Sequence, residues 1–360
     1  MQTDRVLIAM SGGVDSAVTA LLLKEEGYDC IGATMRLSPP AATIAPSTKS
    51  CCNPEEILQA KSVADTLGIP HTVLELSEAF CHHVVDYFVQ TYLDGATPNP
   101  CVECNRTMKF GALWSQAREL GCSKMATGHY ARIQQDPGGR WLLKTASDTS
   151  KDQSYVLWSL TQEQLSHVLF PLGSLTKTEV RALAAAHGFS NANKQDSQDI
   201  CFVPDGDYAA FIERYMGKSY PDGRFLDTAG NVLGKHKGMI RYTIGQRKGL
   251  GIALQSPTYV LHKDAVKNTV TLGPNDALFH KTLTAHGVNL IAIDRVDTPI
   301  RVEAKIRYRA PAAAATLEQI DETHVRLVFD EPQRAISPGQ SVVFYDGDVV
   351  IGGGIISSPS

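Results

Sequence analysis

The first two hundred residues alternate apolar runs of strand length with stretches of helical periodicity. Arg5–Met10 and Asp29–Leu37 are short apolar runs typical of buried strands. Between them, Ser16–Glu26 places its apolar residues at helical spacing and ends at Gly27. The alternation continues to a strand at Lys124–Thr127, and strands that alternate with helices predict a parallel sheet with helices on both faces. We therefore expect an α/β fold that binds ligands at the carboxyl ends of its strands.

Five further segments complete this expectation for the N-terminal region. Ser38–Ser50 is a loop rich in Pro, Ala and Ser, Pro54–Leu67 is a helix, and His71–Leu76 is a strand. An aromatic-rich helix then runs to about Leu93, and the loop Thr97–Asn105 precedes another helix that ends at Gly121.

The pattern changes at about Asp205. Asp207–Tyr215 has a helical pattern, and glycine-broken segments follow it. From about Leu283 the pattern indicates strands, at Arg301–Arg309, His324–Phe329, Ser341–Tyr345 and Val349–Ile351. We predict three domains: a catalytic domain over residues 1–204, a small basic central domain over 205–280, and a C-terminal β-barrel over 281–360.

Charge is unevenly distributed along the chain. The net charge of −4 alone argues against binding of nucleic acid. However, Glu213–Lys267 contains ten Lys and Arg against four Asp and Glu. This basic stretch fits either a contact with a phosphate backbone or an unevenly charged, solvated surface. The chain shows no signal-peptide pattern and no apolar run of membrane-spanning length, so we expect a cytoplasmic protein in a reducing compartment.

The sequence AMSGGVDS, from Ala9 to Ser16, lies between the first predicted strand and the first predicted helix. Free backbone N–H groups and the positive end of a helix dipole meet there, which favours an anion. The Walker lysine motif and the G-x-G-x-x-G fingerprint are both absent from this turn. Asp15 is a candidate for holding Mg²⁺ against a pyrophosphate. The alternative is a tight connection that binds no ligand.

The SGGVDS sequence resembles the PP-loop of the ATP pyrophosphatases. Members of this superfamily cleave ATP between the α and β phosphates, leave AMP on an oxygen of the substrate and release pyrophosphate. The resemblance implies a PP-loop fold and ATP as a substrate. It also explains why no lysine is needed to hold a transferring γ-phosphate.

Several longer motifs resemble the tRNA-specific 2-thiouridylases and cover nearly the whole chain. They are TPNPCVECN, GHYARI, KDQSYVL, KQDSQDICF, YTIGQRKGLG, PGQSVVFY and GGGII. The resemblance implies ATP-dependent insertion of sulfur at C2 of the wobble uridine of tRNA. Adenylation would activate the C2 oxygen, and a cysteine persulfide would deliver the sulfur. The implied partners are tRNA and a persulfide donor, either a sulfur carrier protein or a cysteine desulfurase.

The same resemblance assigns roles to the cysteines. Cys201 would carry the persulfide, and Cys104 would complete the transfer. The chain departs from the commonest family pattern at Cys101, where an aspartate is frequent, and this creates C-x-x-C with Cys104. In one interpretation Cys101 is a bystander or an orienting group. In another, Cys101, Cys104 and Cys201 hold a [4Fe-4S] cluster with one open iron. A structural zinc site would need a fourth ligand.

Of the other cysteines, Cys51 and Cys52 are an adjacent pair next to the predicted loop and are further candidate ligands. We expect Cys30, Cys81 and Cys122 to be packing residues.

The remaining site residues follow from motif positions. The ATP site would be lined by Ala9, Met10, Ser11, Gly12, Gly13, Val14, Asp15, Ser16, Met35 and Gly128. Asn99, Pro100 and Cys101 would lie near the target base. Contacts with tRNA would come from His129, Lys151, Asp152, Gln153, Arg307, Tyr308 and Gln340.

Two other functions remain open from the residues. One is a PP-loop ligase that forms an amide or guanidine on a small molecule, which needs no cysteine pair. The other is a redox-gated RNA-binding protein without catalysis.

Overall fold

The computed structural model describes residues 4–38, 54–194 and 200–359. The predicted loop at Ser38–Ser50, apart from Ser38, and the pair Cys51 and Cys52 lie outside these residues. The described chain divides into two compact units. The first comprises Met1–Val85, Cys101–Gly206 and Asp348–Val350, and the second comprises Asp86–Pro100, Asp207–Gly347 and Ile351–Ser360.

The α-helices among the described residues are mostly short. They are α1 (Val14–Glu25), α2 (Pro54–Leu67), α3 (Ser77–Phe80), α4 (Asp86–Leu93), α5 (Pro100–Glu103), α6 (Trp114–Glu119), α7 (Gln162–His167), α8 (Lys177–Ala186) and α9 (Tyr208–Met216). Two π-helical segments, Cys81–Val85 and Cys104–Leu113, continue α3 and α5. Single 3₁₀ turns occur at Ser154–Leu157, Pro171–Ser174, Met239–Arg241 and Asp276–Leu278.

The strands fall into three groups along the chain. The first seven are β1 (Arg5–Ala9), β2 (Asp29–Arg36), β3 (His71–Glu75), β4 (Lys124–Ala126), β5 (Ala131–Gln135), β6 (Trp141–Thr145) and β7 (Val168–Leu169). Four follow in the middle: β8 (Gly223–Leu226), β9 (Val232–His236), β10 (Tyr259–Asp264) and β11 (Thr269–Gly273). The last six are β12 (Phe279–Leu290), β13 (Ile300–Lys305), β14 (Ala313–Gln319), β15 (His324–Arg334), β16 (Ser341–Asp346) and β17 (Val349–Pro359).

The first unit contains the predicted parallel sheet. Its strand order is β3-β2-β1-β4-β7, and every neighbouring pair is parallel. Apolar residues of β1 are fully buried, and α1 packs against α2 and α8 around them. The sheet order reverses direction beside β1, so the loop after β1 opens where a doubly wound sheet binds its ligand. The α/β prediction is confirmed.

The second unit has two β structures. The middle one is a four-stranded sheet in the order β10-β11-β8-β9, with its own small core that includes Phe225, Val260 and Val270. The other is a closed barrel in which β12, β15, β14, β13, β16 and β17 are successive neighbours and β17 pairs back with β12. Full closure leaves no strand edge exposed for unwanted pairing. The prediction of a C-terminal barrel is confirmed. The boundaries at 204 and 280 remain predictions.

Two local predictions are wrong. The TPNPCVECN segment is a loop only up to Asn99, because a helix begins at Pro100 and carries both Cys101 and Cys104. Proline suits the first turn of a helix, since its fixed φ is helical and its missing N–H would have no partner there. The strand predicted over Arg301–Arg309 ends at Lys305. A turn follows, in which the Ala310 N–H donates to the Arg307 carbonyl, and Pro311 then offers no N–H to a ladder.

Candidate functional site

The loop after β1 forms a tight turn onto α1. Gly12 has a φ of +75°, and a Cβ there would lie 2.5 Å from the Glu56 carbonyl oxygen, so only glycine fits. Gly13 is the N-cap of α1 and has no side-chain cap, which leaves the first N–H groups of the helix available to a ligand. The Ser16 hydroxyl donates to the Gly13 carbonyl at 3.0 Å and accepts from the Ser11 N–H at 3.3 Å. The turn is therefore shaped to present backbone donors to an anion.

Asp15, in the first turn of α1, is held by two side chains from later in the chain. Lys177 Nζ lies 2.8 Å from each of its carboxylate oxygens. The Tyr130 hydroxyl donates to Oδ1, also at 2.8 Å. Lys177 is 8% exposed and is the first residue of α8, where Thr176 and Glu179 form a capping box. The glycine loop therefore has a buried cation beside it, although its own sequence contains none.

The four residues after β4 contact both the glycine loop and the helix that carries Cys101 and Cys104. A Cβ on Gly128 would lie 2.9 Å from the Asp15 carbonyl carbon and 3.1 Å from the Ser16 nitrogen. His129 Nε2 lies 3.3 Å from Lys109 Nζ, and His129 Nδ1 lies 2.6 Å from the Thr127 hydroxyl oxygen. Gly128 and Tyr130 thus contact the glycine loop and the first turn of α1, while His129 contacts the helix that carries the cysteines.

The other expected ATP residues surround this loop. Met10 is buried, and its carbonyl oxygen accepts a hydrogen bond from the Thr34 hydroxyl at 2.7 Å. Met35 follows Thr34 on β2 and is half-buried. Ala9 and Val14 lie at the end of β1 and the start of α1. The structure therefore brings all ten predicted ATP-site residues to the ends of β1, β2 and β4 and the start of α1.

Cys101 and Cys104 lie on one helical run from Pro100 to Glu119, which we call the cysteine helix. Its middle part, Cys104–Leu113, is π-helical. This geometry is rare in proteins as a whole, and where it occurs it is often at a functional site. Asn105 connects this helix to the 3₁₀ turn Ser154–Leu157, since its Nδ2 donates to the Val156 carbonyl at 2.9 Å. The buried Oδ1 of Asn105 has no hydrogen-bond partner. Lys109 projects from the same run toward His129.

Cys201 sits in a turn closed by a hydrogen bond from the Val203 N–H to the Ile200 carbonyl at 2.9 Å. Its neighbour Phe202 is buried and meets the Phe80 ring edge-on, with 5.6 Å between centroids. Such an aromatic pair fixes the turn and leaves the adjacent Cys201 half-buried. All six described cysteines are in the thiol form.

The thiol of Cys101 has a strongly perturbed acidity. Its side chain is exposed, but the dense protein around it desolvates the thiolate and the nearby Cys201 repels it, which together raise the pKa of Cys101 to about 11. Lys109 opposes this shift and does not cancel it. Cys101 is therefore protonated at neutral pH.

A metal centre finds little support among the described residues. Within them, no three His, Cys, Asp or Glu side chains are grouped to hold a metal ion. Both oxygens of Asp15 are already engaged by Lys177, so Mg²⁺ bound there would compete with a buried ammonium group.

The expected tRNA contacts of the first unit are mostly engaged within the protein. His129 is 6% exposed, and burial followed by the charge of Lys109 holds its pKa well below the usual range, so the ring is neutral. The Asp152 carboxylate accepts from the Ala146 N–H at 3.0 Å and from the Ser154 hydroxyl at 2.8 Å. Gln153 accepts from the Tyr130 N–H at 3.0 Å. Lys151 is half-buried beside them. Their contacts with tRNA stay predictions.

The second unit carries the other predicted residues. Asn99 is half-buried and Pro100 is buried. Arg307, which the sequence places in the predicted strand Arg301–Arg309, lies after the end of β13 instead and donates to the Ala335 carbonyl and, at 3.3 Å, to the Ser337 hydroxyl. Tyr308 is 41% exposed. Gln340 donates to the Thr97 and Pro98 carbonyls.

Sequence reasoning missed Lys177, Tyr130 and Lys109. The only local signal for Lys177 was its place after the capping threonine of T-K-T-E, which predicts a helix start and says nothing of a site. Lys109 lies five residues after Cys104 and would not face it on a regular α-helix.

Comparison with known families covers nearly the whole chain. Residues 4–205 match the family described as tRNA methyl transferase HUP domain. Residues 209–274 match the tRNA methyl transferase PRC-barrel domain, and residues 280–356 match the Aminomethyltransferase beta-barrel domain.

Curated relatives match from end to end. A tRNA-specific 2-thiouridylase MnmA of Clostridioides difficile (strain 630) is 50% identical over 353 residues, which is 98% of each chain. Another of the same name, from Acetivibrio thermocellus, is 50% identical over 358 residues, covering 99% of this chain and 100% of the relative. Among solved structures, a 4-thiouridine synthetase in complex with RNA and ATP covers 59% of this chain and 50% of its own, at 16% identity and a TM-score of 0.37, which is too low to support a conclusion.

Proposed function

The chain belongs to the tRNA-specific 2-thiouridylase family, and we propose that it performs ATP-dependent 2-thiolation of the wobble uridine of tRNA. As a member of this family it is a tRNA sulfurtransferase. Among the described residues, no helix is both long enough and apolar enough to cross a membrane. The proposed partners are tRNA and a persulfide donor, either a sulfur carrier protein or a cysteine desulfurase, in the cytoplasm.

In the first step, the C2 oxygen of the uridine attacks the α-phosphorus of ATP. The P–O bond to the β-phosphate breaks, AMP stays on the C2 oxygen, and pyrophosphate leaves. The uncapped N–H groups at Gly13 and the start of α1 would bind the leaving pyrophosphate. Lys177 would move its ammonium charge from Asp15 toward the phosphates, since it already lies beside the loop. Mg²⁺, when bound with ATP, would add charge neutralisation at the phosphates.

In the second step, sulfur replaces the activated oxygen. The terminal sulfur of a Cys201 persulfide attacks C2, and AMP leaves with the original oxygen. The Cys104 thiolate then attacks the Cys201 sulfur, which releases the thiolated base and leaves a Cys104–Cys201 disulfide. The persulfide donor brings the sulfur at zero oxidation level, and a cellular thiol must later reduce the disulfide. Cys101 keeps its proton and takes no part.

One observation carries this proposal. The segment Thr127–Tyr130 contacts the glycine loop and the first turn of α1 through Gly128 and Tyr130, and it contacts Lys109 of the cysteine helix through His129. Four consecutive residues thus join a phosphate-binding turn to the helix of a candidate nucleophile. A ligase that uses no cysteine has no need of this connection.

The test separates the two steps. Variants Cys104→Ser and Cys201→Ser should release tRNA-dependent pyrophosphate at near wild-type rate in a single turnover, yet form no 2-thiouridine from a persulfide donor. Cys81→Ser, which changes a half-buried cysteine of another helix, is the matched control and should retain both steps. Full thiolation by Cys104→Ser would contradict the proposal, and pyrophosphate release that needs no tRNA would favour a small-molecule ligase.

The cluster alternative has its own measurement. Iron and acid-labile sulfide are determined on protein purified without oxygen, for the wild type and Cys101→Ala. Absence of iron in protein that thiolates tRNA supports the persulfide route. About four irons per chain, lost in the variant, would replace it with a cluster route.

A further inference from the structure

The segment Phe189–Lys194, which follows α8, passes beside the glycine loop. It contains two turns, closed by hydrogen bonds from the Ala192 N–H to the Phe189 carbonyl at 3.1 Å and from the Lys194 N–H to the Asn191 carbonyl at 3.0 Å. Phe189 and Ala192 are each 6% exposed and belong to the same hydrophobic core as the buried face of α1. The segment is therefore fixed against the helix that the glycine loop leads into.

A second attachment joins this segment to α2. Lys194 Nζ lies 3.0 Å from a Glu56 carboxylate oxygen and 3.2 Å from the side-chain oxygen of Gln59. The backbone carbonyl oxygen of the same Glu56 is the atom that would lie 2.5 Å from a Cβ on Gly12. Both the segment and the first turn of α2 therefore adjoin Gly12.

Asn191 makes the contact between the segment and the glycine loop. Its Nδ2 donates to the Gly12 carbonyl at 3.2 Å, and the residue is only 1% exposed. The reverse orientation of the amide would set its oxygen against the carbonyl oxygen, so the nitrogen faces Gly12. Within the described part of the chain, the buried Oδ1 of Asn191 has no hydrogen-bond partner. A buried acceptor without a partner costs stability, so what Asn191 contributes is its donor.

The hydrogen bond to the Gly12 carbonyl also fixes the direction of the next N–H group. The described chain contains no cis peptide bond, and in a trans peptide the carbonyl oxygen and the following N–H point in opposite directions. A donor on the Gly12 carbonyl therefore turns the Gly13 N–H away from Asn191. Gly13 is the N-cap of α1, so its N–H has no acceptor within the helix. Because glycines flank this peptide on both sides, their backbone allows it to rotate unless a partner holds it.

We propose that Asn191 is a positioning residue for ATP, which holds the peptide between Gly12 and Gly13 so that the Gly13 N–H faces the pyrophosphate part of the nucleotide. The inference deepens the proposed function and rests on it for the identity of the ligand. Without the Asn191 donor the peptide can turn over, and its carbonyl oxygen would then face the phosphates and repel them. The effect should be confined to the β and γ phosphates, which this N–H binds in the proposed first step.

The test compares equilibrium binding of ATP, pyrophosphate and AMP to the full chain. In Asn191→Leu the affinities for ATP and pyrophosphate should fall at least about fivefold, since hydrogen bonds to charged groups are among the stronger ones. The affinity for AMP should stay within about twofold, because AMP has no β-phosphate for the Gly13 N–H to bind. Leucine is close to asparagine in shape and also removes the unpartnered Oδ1, so the variant should lose little stability.

The chain offers a matched control and a second variant. Asn193→Leu makes the same change two residues later, at an exposed position of the same segment, and should leave all three affinities unchanged. Asn191→Asp keeps the shape of the side chain and has no amide hydrogen to donate. It should show the same difference between pyrophosphate and AMP if the leucine variant fails to fold.

Equal losses of affinity for pyrophosphate and AMP would overturn the inference, because they would indicate a general distortion of the loop. Unchanged affinity for pyrophosphate in both Asn191 variants would overturn it as well. A wild type that binds pyrophosphate, differs from the variants as expected and yet forms no 2-thiouridine would count against the proposed function and still support the role of Asn191.

Discussion

Lys177 Nζ lies 2.8 Å from both carboxylate oxygens of Asp15, across 162 residues of sequence. The pair places a nearly buried ammonium beside a glycine loop that has no lysine of its own. A charge held there by one carboxylate is ready to stabilise phosphate oxygens as negative charge develops on them.

We expect Lys177→Met to slow tRNA-dependent pyrophosphate release by about 10- to 150-fold, since a charge-assisted contact is worth about 1.5–3 kcal/mol. The measurement is single-turnover release of pyrophosphate at saturating ATP. Lys267→Met, which removes a lysine with 76% of its side chain exposed, is the control. A normal rate in Lys177→Met would reduce the Lys177–Asp15 pair to a structural role.

Gly128→Ala should weaken ATP binding. The added Cβ would lie 2.9 Å from the Asp15 backbone, and backbone atoms at the start of α1 cannot move aside without opening the loop. We expect at least a tenfold weaker ATP affinity in equilibrium binding, with the cysteine alkylation rates little changed.

The control for this substitution is Gly138→Ala. A Cβ at Gly138 meets only the Asp136 side chain, at 3.2 Å, on an exposed turn, so ATP affinity should stay within twofold. Normal ATP affinity in Gly128→Ala would show that the loop tolerates the displacement.

The parts of the site that were predictable are those made by consecutive residues. The strand, two glycines and helix around Gly12 and Gly13 follow one another in sequence, so their geometry is local and readable. Lys177 and Gln340 meet their partners across 162 and 243 residues. Such pairings are set by the packing of whole elements, which no local pattern encodes. Arg307 was misplaced because the alternation of apolar and polar residues over Arg301–Arg309 does not reveal that a turn begins after Lys305.

Cys101 should react with iodoacetamide about tenfold more slowly than an ordinary exposed cysteine at pH 7.5. Its pKa of about 11 lies two units above the usual 9.0, which cuts the thiolate fraction about 100-fold. The more basic thiolate is a better nucleophile and recovers about tenfold of that loss. Because the pKa is raised, the rate should keep increasing up to about pH 11. Levelling near pH 9 would contradict the shift.

Lys263 should make stability depend on pH in alkaline solution. Burial lowers its pKa from 10.5 to about 8, so the unfolded chain binds more protons than the folded chain between these values. Stability therefore rises as pH increases from about 8 to 10.5 and is reduced, by roughly 3 kcal/mol at most, below pH 8. The difference in thermal midpoint between the wild type and Lys263→Met should shift in favour of the wild type from pH 7 to pH 9.5. A difference independent of pH would contradict the lowered pKa.

The last strand serves both units. Its first two residues and the preceding Asp348 belong to the first unit. There the Thr145 N–H donates to the Asp348 carbonyl at 2.8 Å, and Arg132 pairs with the Asp348 carboxylate at 2.8 Å. The later residues of the strand close the barrel against β12. During synthesis, the contacts between Asp348 and the β5–β6 hairpin therefore form only after residue 348 has left the ribosome. A nascent chain that has finished its first 206 residues already has the glycine loop, and it still lacks the residues that lock the hairpin. The first unit should thus gain its last contacts only after Asp207–Gly347 of the second unit has been translated.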